Sequence, residues 1–236
     1  MLPPETENVW KFLAEQRSLA GFVLNGGAAL VLRMGHRTSK DLDLAYPELA
    51  LSRAKIDELI QIAKSAGLIL EPNDNQAALD EAFIAGMELH DYQQDFVVNN
   101  AVKVSFFTPE ACLSKVPIGK PEEKIRVAAL SELFNSKCLS SAKRSNTRDW
   151  LDLYLLMRDR GFTRRDYRDA LRLADTPGQT EISLGRLCKG TPGKTTKVTR
   201  TWWRTHRAWN RYGISSPCSV NCSRLIVAFR PDIATL

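Results

Sequence analysis

The sequence predicts an α+β protein, in which a mixed β-sheet flanked by helices is followed by a small helical domain and an irregular basic tail. β-rich runs and helical periods alternate over about the first 115 residues, only helical periods occur from about residue 120, and the last sixty residues show no sustained period. We therefore expect an α/β domain at residues 1–115, a helical domain at 116–176 and a basic tail at 177–236.

The first part of the chain reads as helix, strand, helix and strand. Residues 5–20 have amphipathic spacing, and a short apolar run at 22–25 predicts the first strand. A helix over residues 27–34 ends at Gly35, because glycine readily adopts the left-handed conformation that closes helices. The alternation in the run at 41–44 predicts the second strand, with Leu42 and Leu44 facing a core.

The next segment is less regular. Ser52 is a candidate N-cap for a helix that ends at Gly67, and residues 68–70 have the composition of a strand. Residues 72–94 fit either a helix or a strand. The following segment, DFVVNNAVKVSFF, predicts a β-hairpin that turns at Asn99-Asn100, because asparagine tolerates positive φ. On its second strand, one face carries Val102, Val104 and Phe106.

The second half shows helical periods only. A short helix is expected to start at Thr108-Pro109-Glu110, with threonine as the cap. Two longer helices follow, and Thr163 is expected to cap a third, with Asp166 three residues on. The apolar stripes of the two longer helices comprise Ile125, Ala129, Leu133 and Phe134 on the first, and Trp150, Leu153, Tyr154 and Met157 on the second.

Composition narrows the class of protein. No run approaches eighteen apolar residues and no signal peptide is recognisable, so we expect neither a membrane span nor a membrane partner. Five cysteines do not form a disulfide framework, which favours the cytoplasm. The net charge is +6; residues 177–236 hold ten Lys/Arg and two acids and so carry +8, which leaves −2 for the other 176 residues.

The residues best suited to catalysis or ligand binding lie between positions 22 and 46. Gly26 and Gly27 end an apolar run just before a helix, where backbone N–H groups and the helix N-terminus can hold a phosphate. Asp41 and Asp43 project from one face of the next strand, roughly 6.6 Å apart, and can share a hard divalent cation. This combination suggests phosphoryl transfer, although a tight turn and an exposed polar strand end would also explain these residues.

Arg37 and Ser39 lie in the turn before the two carboxylates. Arginine could hold a phosphate with two hydrogen bonds and serine could donate one. Pairing with the aspartates to shape the turn is an equal alternative.

These motifs carry a family resemblance. GGAAL followed by GHRTSKDLDL is similar to the nucleotidyltransferase toxins of abortive-infection and type IV toxin–antitoxin systems (AbiEii/AbiGii type), in the DNA polymerase β-like nucleotidyltransferase superfamily. The resemblance extends to Lys137 and to RDWLDLYLL at 148–156, and it covers roughly residues 10–175.

The resemblance implies an Mg²⁺-dependent transfer of a nucleoside monophosphate from ATP, GTP, CTP or UTP to an acceptor hydroxyl, with RNA or tRNA as the favoured acceptor and a separately encoded antitoxin as partner. It assigns the metal to Asp41 and Asp43. The catalytic residues that it implies are Asp41, Asp43, Lys137 and Asp152. The nucleotide-binding residues that it implies are Gly26, Gly27, Arg37, Ser39 and Arg148.

The sequence departs from the superfamily at one position. Ser105 stands where a third carboxylate is usual, which would weaken general-base catalysis. Asp95 on the partner strand could substitute, or it could be an ordinary carboxylate at the edge of the hairpin. Two alternatives therefore stay open: a module that binds a nucleotide or a partner with little turnover, and a transferase that modifies protein hydroxyls.

The basic tail has two interpretations. Arginine interleaved with tryptophan in TKVTRTWWRTHRAWNRY is typical of nucleic-acid-binding surfaces, but the absence of a period favours a poorly packed extension. Cys188, His206, Cys218 and Cys222 match no standard zinc spacing, so we do not expect a zinc site.

Overall fold

The computed structural model describes residues 1–109, 124–144 and 146–173. Two compact units are present, the first comprising Met1–Leu133 and the second beginning at Phe134. Three predictions fall outside the described residues: the domain boundaries at 115/116 and 176/177, and the basic tail. The helix expected to start at Thr108-Pro109-Glu110 also lies mainly outside them.

The first unit contains a six-stranded mixed sheet. Its strands are β1 (Val23–Asn25), β2 (Leu42–Ala45), β3 (Leu70–Pro72), β4 (Gln93–Val98), β5 (Val102–Phe107) and β6 (Arg126–Val127). Their order across the sheet is β3-β4-β5-β2-β1-β6. The β1–β6 and β2–β5 pairs are parallel and the other pairs are antiparallel. The α+β class predicted from the sequence is confirmed.

Helices flank the strands in sequence and then dominate the second unit. Those of the first unit are α1 (Pro4–Ala14), α2 (Gly26–Met34), α3 (Arg53–Ser65) and α4 (Gln76–Ile84). Helix α5 (Leu130–Lys143) begins at the end of the first unit, and the second continues with α6 (Thr147–Arg160) and α7 (Arg164–Leu173). No helix in the described ranges combines the length and apolarity needed to cross a membrane.

A cluster of leucine and phenylalanine side chains packs on one face of the sheet in the first unit. Leu42 and Leu44 on β2 are fully buried, as their alternation predicts. Phe106 on β5 packs edge-on against Phe22 and Phe96, with ring centroids 5.6 and 5.9 Å apart. This apolar packing sets which side chains of β2 and β5 point to the opposite face, where the candidate site lies.

Local backbone features follow the predicted turn chemistry. Asn99 and Asn100 both have positive φ, at 48° and 54°, which matches a type I′ hairpin turn between β4 and β5. Gly35 closes α2 in the left-handed region at φ 63°. Thr163 and Asp166 exchange the reciprocal cap bonds expected at the start of α7.

Several local predictions need correction. The helix predicted over 5–20 ends at Ala14, and only a 3₁₀ turn follows at Arg17–Leu19. Ser52 occupies the N-cap position of α3, but its side chain makes no cap hydrogen bond. Ala129 is exposed rather than buried, because a short strand, β6, precedes α5 and changes the direction of the chain there.

Candidate active site

The Gly26-Gly27 turn joins β1 to α2, and its first glycine lies against Asp43. Gly26 has φ 65°, a conformation that is strained for residues with a side chain. A Cβ atom there would overlap Asp43 Oδ2, and Asp43 Cγ would lie only 3.1 Å away. Only glycine therefore lets the carboxylate approach the N-terminus of α2 so closely.

The second glycine lies against the turn that precedes β2. A Cβ atom on Gly27 would lie 2.7 Å from Arg37 Nη2 and 2.9 Å from Ser39 Oγ. Arg37 and Ser39 are both buried, with 8% of their surface exposed. The structure thus brings together the two glycines, Arg37, Ser39 and Asp43 at one end of α2.

Strand register places a row of polar residues across the sheet. Asp43 on β2 is paired with Asn25 on β1 and with Ser105 on β5. Ser105 is in turn paired with Asp95 on β4. Register partners on adjacent strands point to the same face, so these side chains share the face opposite the apolar core. Asp41 is exposed and precedes the first residue of β2 by one position.

Ser105 therefore occupies the position beside Asp43 where the resemblance led us to look for a third carboxylate. The next carboxylate in the row, Asp95, is two strands from Asp43, about 10 Å between Cα atoms. Among the described residues, no group of three or more His, Cys, Asp and Glu side chains could hold a metal ion. Asp41 and Asp43 could bind a metal ion as a pair if a bound ligand supplied further oxygen atoms.

Asp95 is a buried carboxylate on an interior strand, since β4 lies between β3 and β5. Lys103 Nζ donates to its Oδ2 at 2.8 Å, and Gln93 Nε2 donates to the same atom at 3.3 Å. The other oxygen, Oδ1, is buried and accepts no hydrogen bond in the structure. A buried carboxylate oxygen without a donor is unfavourable, so this atom has unused capacity to accept a hydrogen bond.

The other predicted site residues lie in the second unit. Lys137 Nζ donates to Asp149 Oδ1 at 2.6 Å and lies 3.0 Å from Asp152 Oδ2. The side chains of the lysine and the two aspartates are 9%, 2% and 0% exposed. Arg144 Nε donates to Asp149 Oδ2 at 2.9 Å. Lys137 is thus part of a buried ion cluster, not the solvated lysine that its sequence context would suggest.

Asp149 completes this cluster, although the family resemblance does not name it among the site residues. Its place in the first turn of α6 suits the helix dipole, and its spacing of three from Asp152 places both carboxylates on one side of that helix. Burial alone would raise the pKa of Asp149, but Lys137 and Arg144 outweigh this effect and hold the pKa below its ordinary value. The carboxyl therefore stays ionised although it is 1% exposed.

Arg148 lies four residues before Asp152 on α6, a spacing at which two side chains can pair. The structure pairs Asp152 with Lys137. Arg148 Nε is buried and makes no hydrogen bond. The contributions of Lys137, Arg148 and Asp152 to nucleotide binding stay predictions.

Comparison with known proteins adds a family assignment. Residues 11–187 match the family model described as nucleotidyl transferase AbiEii toxin, type IV TA system. An uncharacterized protein of Aquifex aeolicus is 26% identical over 142 residues, which is 60% of each chain. The chain therefore spans about three fifths of the length of this curated relative.

Three solved structures are similar to the chain at low sequence identity. A proposed nucleotidyltransferase from H. pylori is 17% identical, with a TM-score of 0.43, over 84% of this chain and 88% of that one. The Megavirus polyadenylate synthase is 12% identical, with a TM-score of 0.43, over 65% and 30%. MenT4, a nucleotidyltransferase toxin from Mycobacterium tuberculosis, is 12% identical, with a TM-score of 0.34, over 97% and 95%.

Proposed function

Because the chain belongs to the AbiEii family of nucleotidyl transferase toxins from type IV toxin–antitoxin systems, we propose that it moves a nucleoside monophosphate from a nucleoside triphosphate to an acceptor hydroxyl. In this reaction the acceptor oxygen forms a bond to the α-phosphorus, the bond to the bridging oxygen breaks, pyrophosphate leaves and the hydroxyl loses its proton. RNA, in particular a tRNA end, is the proposed acceptor, and a separately encoded antitoxin is the proposed partner.

The observation that carries this proposal is the convergence at the start of α2. Gly26 and Gly27 bring Asp43, Arg37 and Ser39 to the N-terminal end of the helix, where the first backbone N–H groups have no partner within the helix and the dipole is positive. Phosphate is the ligand that such an end favours. Arg37 and Ser39 would orient the triphosphate by charge-assisted and neutral hydrogen bonds.

Asp41 and Asp43 fit a role as ligands of Mg²⁺. Mg²⁺ prefers oxygen ligands and is commonly held by one or two carboxylates, with substrate phosphates and water completing its shell. Asp41 is exposed and Asp43 is half-buried beside the glycine turn, so both can face a bound nucleotide. The ion would offset negative charge that develops on the phosphate oxygens.

Removal of the acceptor proton needs a base other than Ser105. We propose that the proton passes to the substrate phosphates, because Asp95, the next carboxylate in the row, is buried and its Oδ2 is held by Lys103. Asp95 as the base is the alternative. Asp95→Asn separates the two, because it removes the base and keeps the size of the side chain.

The test is mass spectrometry of total RNA and of the protein after incubation with each of the four triphosphates. We expect a mass increase of one nucleoside monophosphate on RNA, and its loss in Asp41→Ala. Asp57→Ala is a matched control, because Asp57 is an exposed carboxylate of α3 and lies outside the motif. Full activity of Asp41→Ala would overturn the assignment of the carboxylates.

Two other outcomes correspond to different functions. Ser105 in place of a carboxylate favours a second candidate, a module that binds a nucleotide with little or no turnover. Calorimetry with Mg²⁺ and each triphosphate would then show binding, while no product forms. Added mass on the protein instead of RNA would indicate a transferase that modifies Tyr, Ser or Thr hydroxyls.

A further inference from the structure

Helix α7 carries four arginines along one side. Arg164, Arg165, Arg168 and Arg172 are all exposed. At 100° per residue they fall within an arc of roughly 100° of the helix surface, and they extend over roughly 12 Å of its axis. We call these four residues the arginine stripe. An adjoining side of α7 is buried through Tyr167, Ala170 and Leu171.

Two of the four arginines are unfavourable for the stability of their own helix, whereas Arg172 in its last turn is favourable there. Arg164 and Arg165 occupy the first turn, where the helix dipole disfavours positive charge by about 0.3–1 kcal/mol each. Asp166 in the same turn is already engaged by Thr163, whose Oγ1 donates to its Oδ2 at 2.7 Å. Helix stability therefore does not explain two arginines at this end, and a ligand that needs positive charge does.

The neighbouring acidic residues do not neutralise the arginine stripe, so its guanidinium groups are available to bind a ligand. Asp169 is the acid that pairs with the stripe, at 3.8 Å from Arg165 and 3.7 Å from Arg172. The two arginine side chains are 85% and 70% exposed, and exposed pairs at this distance contribute little. Over residues 158–172 the sequence has six arginines and three aspartates, so the segment carries +3.

The chemistry of the stripe fits a polyanion with regularly spaced phosphates. Guanidinium groups bind phosphate oxygens with two hydrogen bonds, and arginine is accordingly common where nucleic acid is bound. A membrane surface is a poorer fit, because interfacial helices insert large apolar side chains. None of the large exposed apolar side chains of the described residues lies in the segment 158–172.

We propose that the arginine stripe of α7 binds the phosphate backbone of the RNA acceptor. This inference rests on the proposed function for the identity of the acceptor, and it adds the surface that holds it. It is independent of the carboxylates, since backbone binding needs neither a nucleotide nor a metal ion.

The test is the salt dependence of RNA binding by the full chain, measured by fluorescence anisotropy with a labelled 20-nucleotide RNA hairpin that has a single-stranded 3′ end. Arg164→Gln/Arg168→Gln removes two charges of the stripe and keeps helix-compatible side chains. The slope of log affinity against log salt should become shallower by about 1.4–1.8, which is about tenfold between 50 and 200 mM salt. Arg17→Gln/Lys64→Gln removes two exposed charges of the first unit and should leave the slope unchanged.

Each result decides the inference. The inference would be overturned if the salt slope of Arg164→Gln/Arg168→Gln equalled that of the wild type. It would also be overturned if Arg17→Gln/Lys64→Gln changed the slope by the same amount. Binding to phosphatidylserine vesicles with no binding to the hairpin would also overturn it. RNA binding by the Asp41→Ala variant without nucleotide transfer by the wild type would refute the proposed transferase function and leave the stripe assignment standing, so the two failures are distinguishable. Circular dichroism confirms that the variants are folded.

Discussion

Replacement of Lys137 by methionine tests the buried ion cluster of the second unit. Methionine keeps the unbranched shape of the lysine side chain. It removes the positive charge that lies 2.6 Å from Asp149 and 3.0 Å from Asp152. Loss of one partner from a buried pair costs about 3–5 kcal/mol, because the remaining charge is uncompensated. Arg144 still pairs with Asp149, but its side chain is 62% exposed, so we expect it to offset little of this cost.

The assay is urea denaturation of the full chain, followed by circular dichroism at pH 7. We expect Lys137→Met to lower the free energy of unfolding by about 3 kcal/mol or more. Lys137→Met/Asp149→Asn/Asp152→Asn should recover most of the loss, because it leaves no unpaired buried charge. A loss below about 1 kcal/mol in the single variant would refute the burial of an ionised cluster.

The pH dependence gives a second check. In the wild type the pKa of Asp149 is below its ordinary value, so its contribution to stability is present above the unfolded-state pKa and is lost as pH falls through the folded-state pKa. Without Lys137, burial is opposed less and raises the pKa of the Asp149 carboxyl. The deficit of Lys137→Met should therefore be smaller at pH 5 than at pH 8. A deficit that is independent of pH would contradict the cause that we assign.

The same variants separate the two roles of Lys137. If the lysine only neutralises the aspartates, the triple variant should regain activity together with stability. If it also steadies the triphosphate, as the family resemblance implies, the triple variant should be folded but inactive. The readout is pyrophosphate release with each triphosphate, compared between variants of equal folded fraction.

Three further changes test other parts of the chain. Gly27→Ala should weaken nucleotide binding by about 1–3 kcal/mol in calorimetry, because its Cβ would displace Arg37 Nη2, which is 2.7 Å away; the control Gly35→Ala, with φ 63° and no atom within 4 Å of the new Cβ, should lower stability by about 1 kcal/mol and leave binding unchanged. Ser105→Asp should raise the rate of pyrophosphate release by about 10²-fold if the missing carboxylate limits transfer; an unchanged rate would count against that limit. Thr163→Ala should destabilise α7 by about 1 kcal/mol in thermal unfolding, since it removes the cap bond to its N-terminal turn; no change in melting temperature would contradict this.

Features that depend on residues close together in the chain were correctly predicted from the sequence. The two asparagines of the hairpin turn have positive φ, and the apolar face of β5 is buried at Val102, Val104 and Phe106. Gly35 ends its helix as expected. These outcomes follow from side-chain alternation and from the φ values that each residue type tolerates, and both act within a few positions of the chain.

Predictions failed or stayed open where distant residues decide the outcome. The segment 72–94 had no clear period, and the structure divides it between α4, a 3₁₀ turn at Leu89–Asp91 and the start of β4. Ala129 was expected on a buried helical stripe, but Arg126–Val127 pairs with β1 as a strand, which moves the start of the helix. The pairing of two strands that are about a hundred residues apart cannot be predicted from local periodicity.

For the candidate site, the residue types could be predicted without the structure: two adjacent glycines, an arginine, a serine and two aspartates at spacings typical of phosphate and metal chemistry. Two features emerged from the folded structure: Asp43 lies between Asn25 and Ser105 in the sheet, and Asp149 shares Lys137 with Asp152. The physical reason is that strand register and the partners of buried charges are set by the packing of the whole core, whereas turn conformation and helix ends are set by the residues that form them.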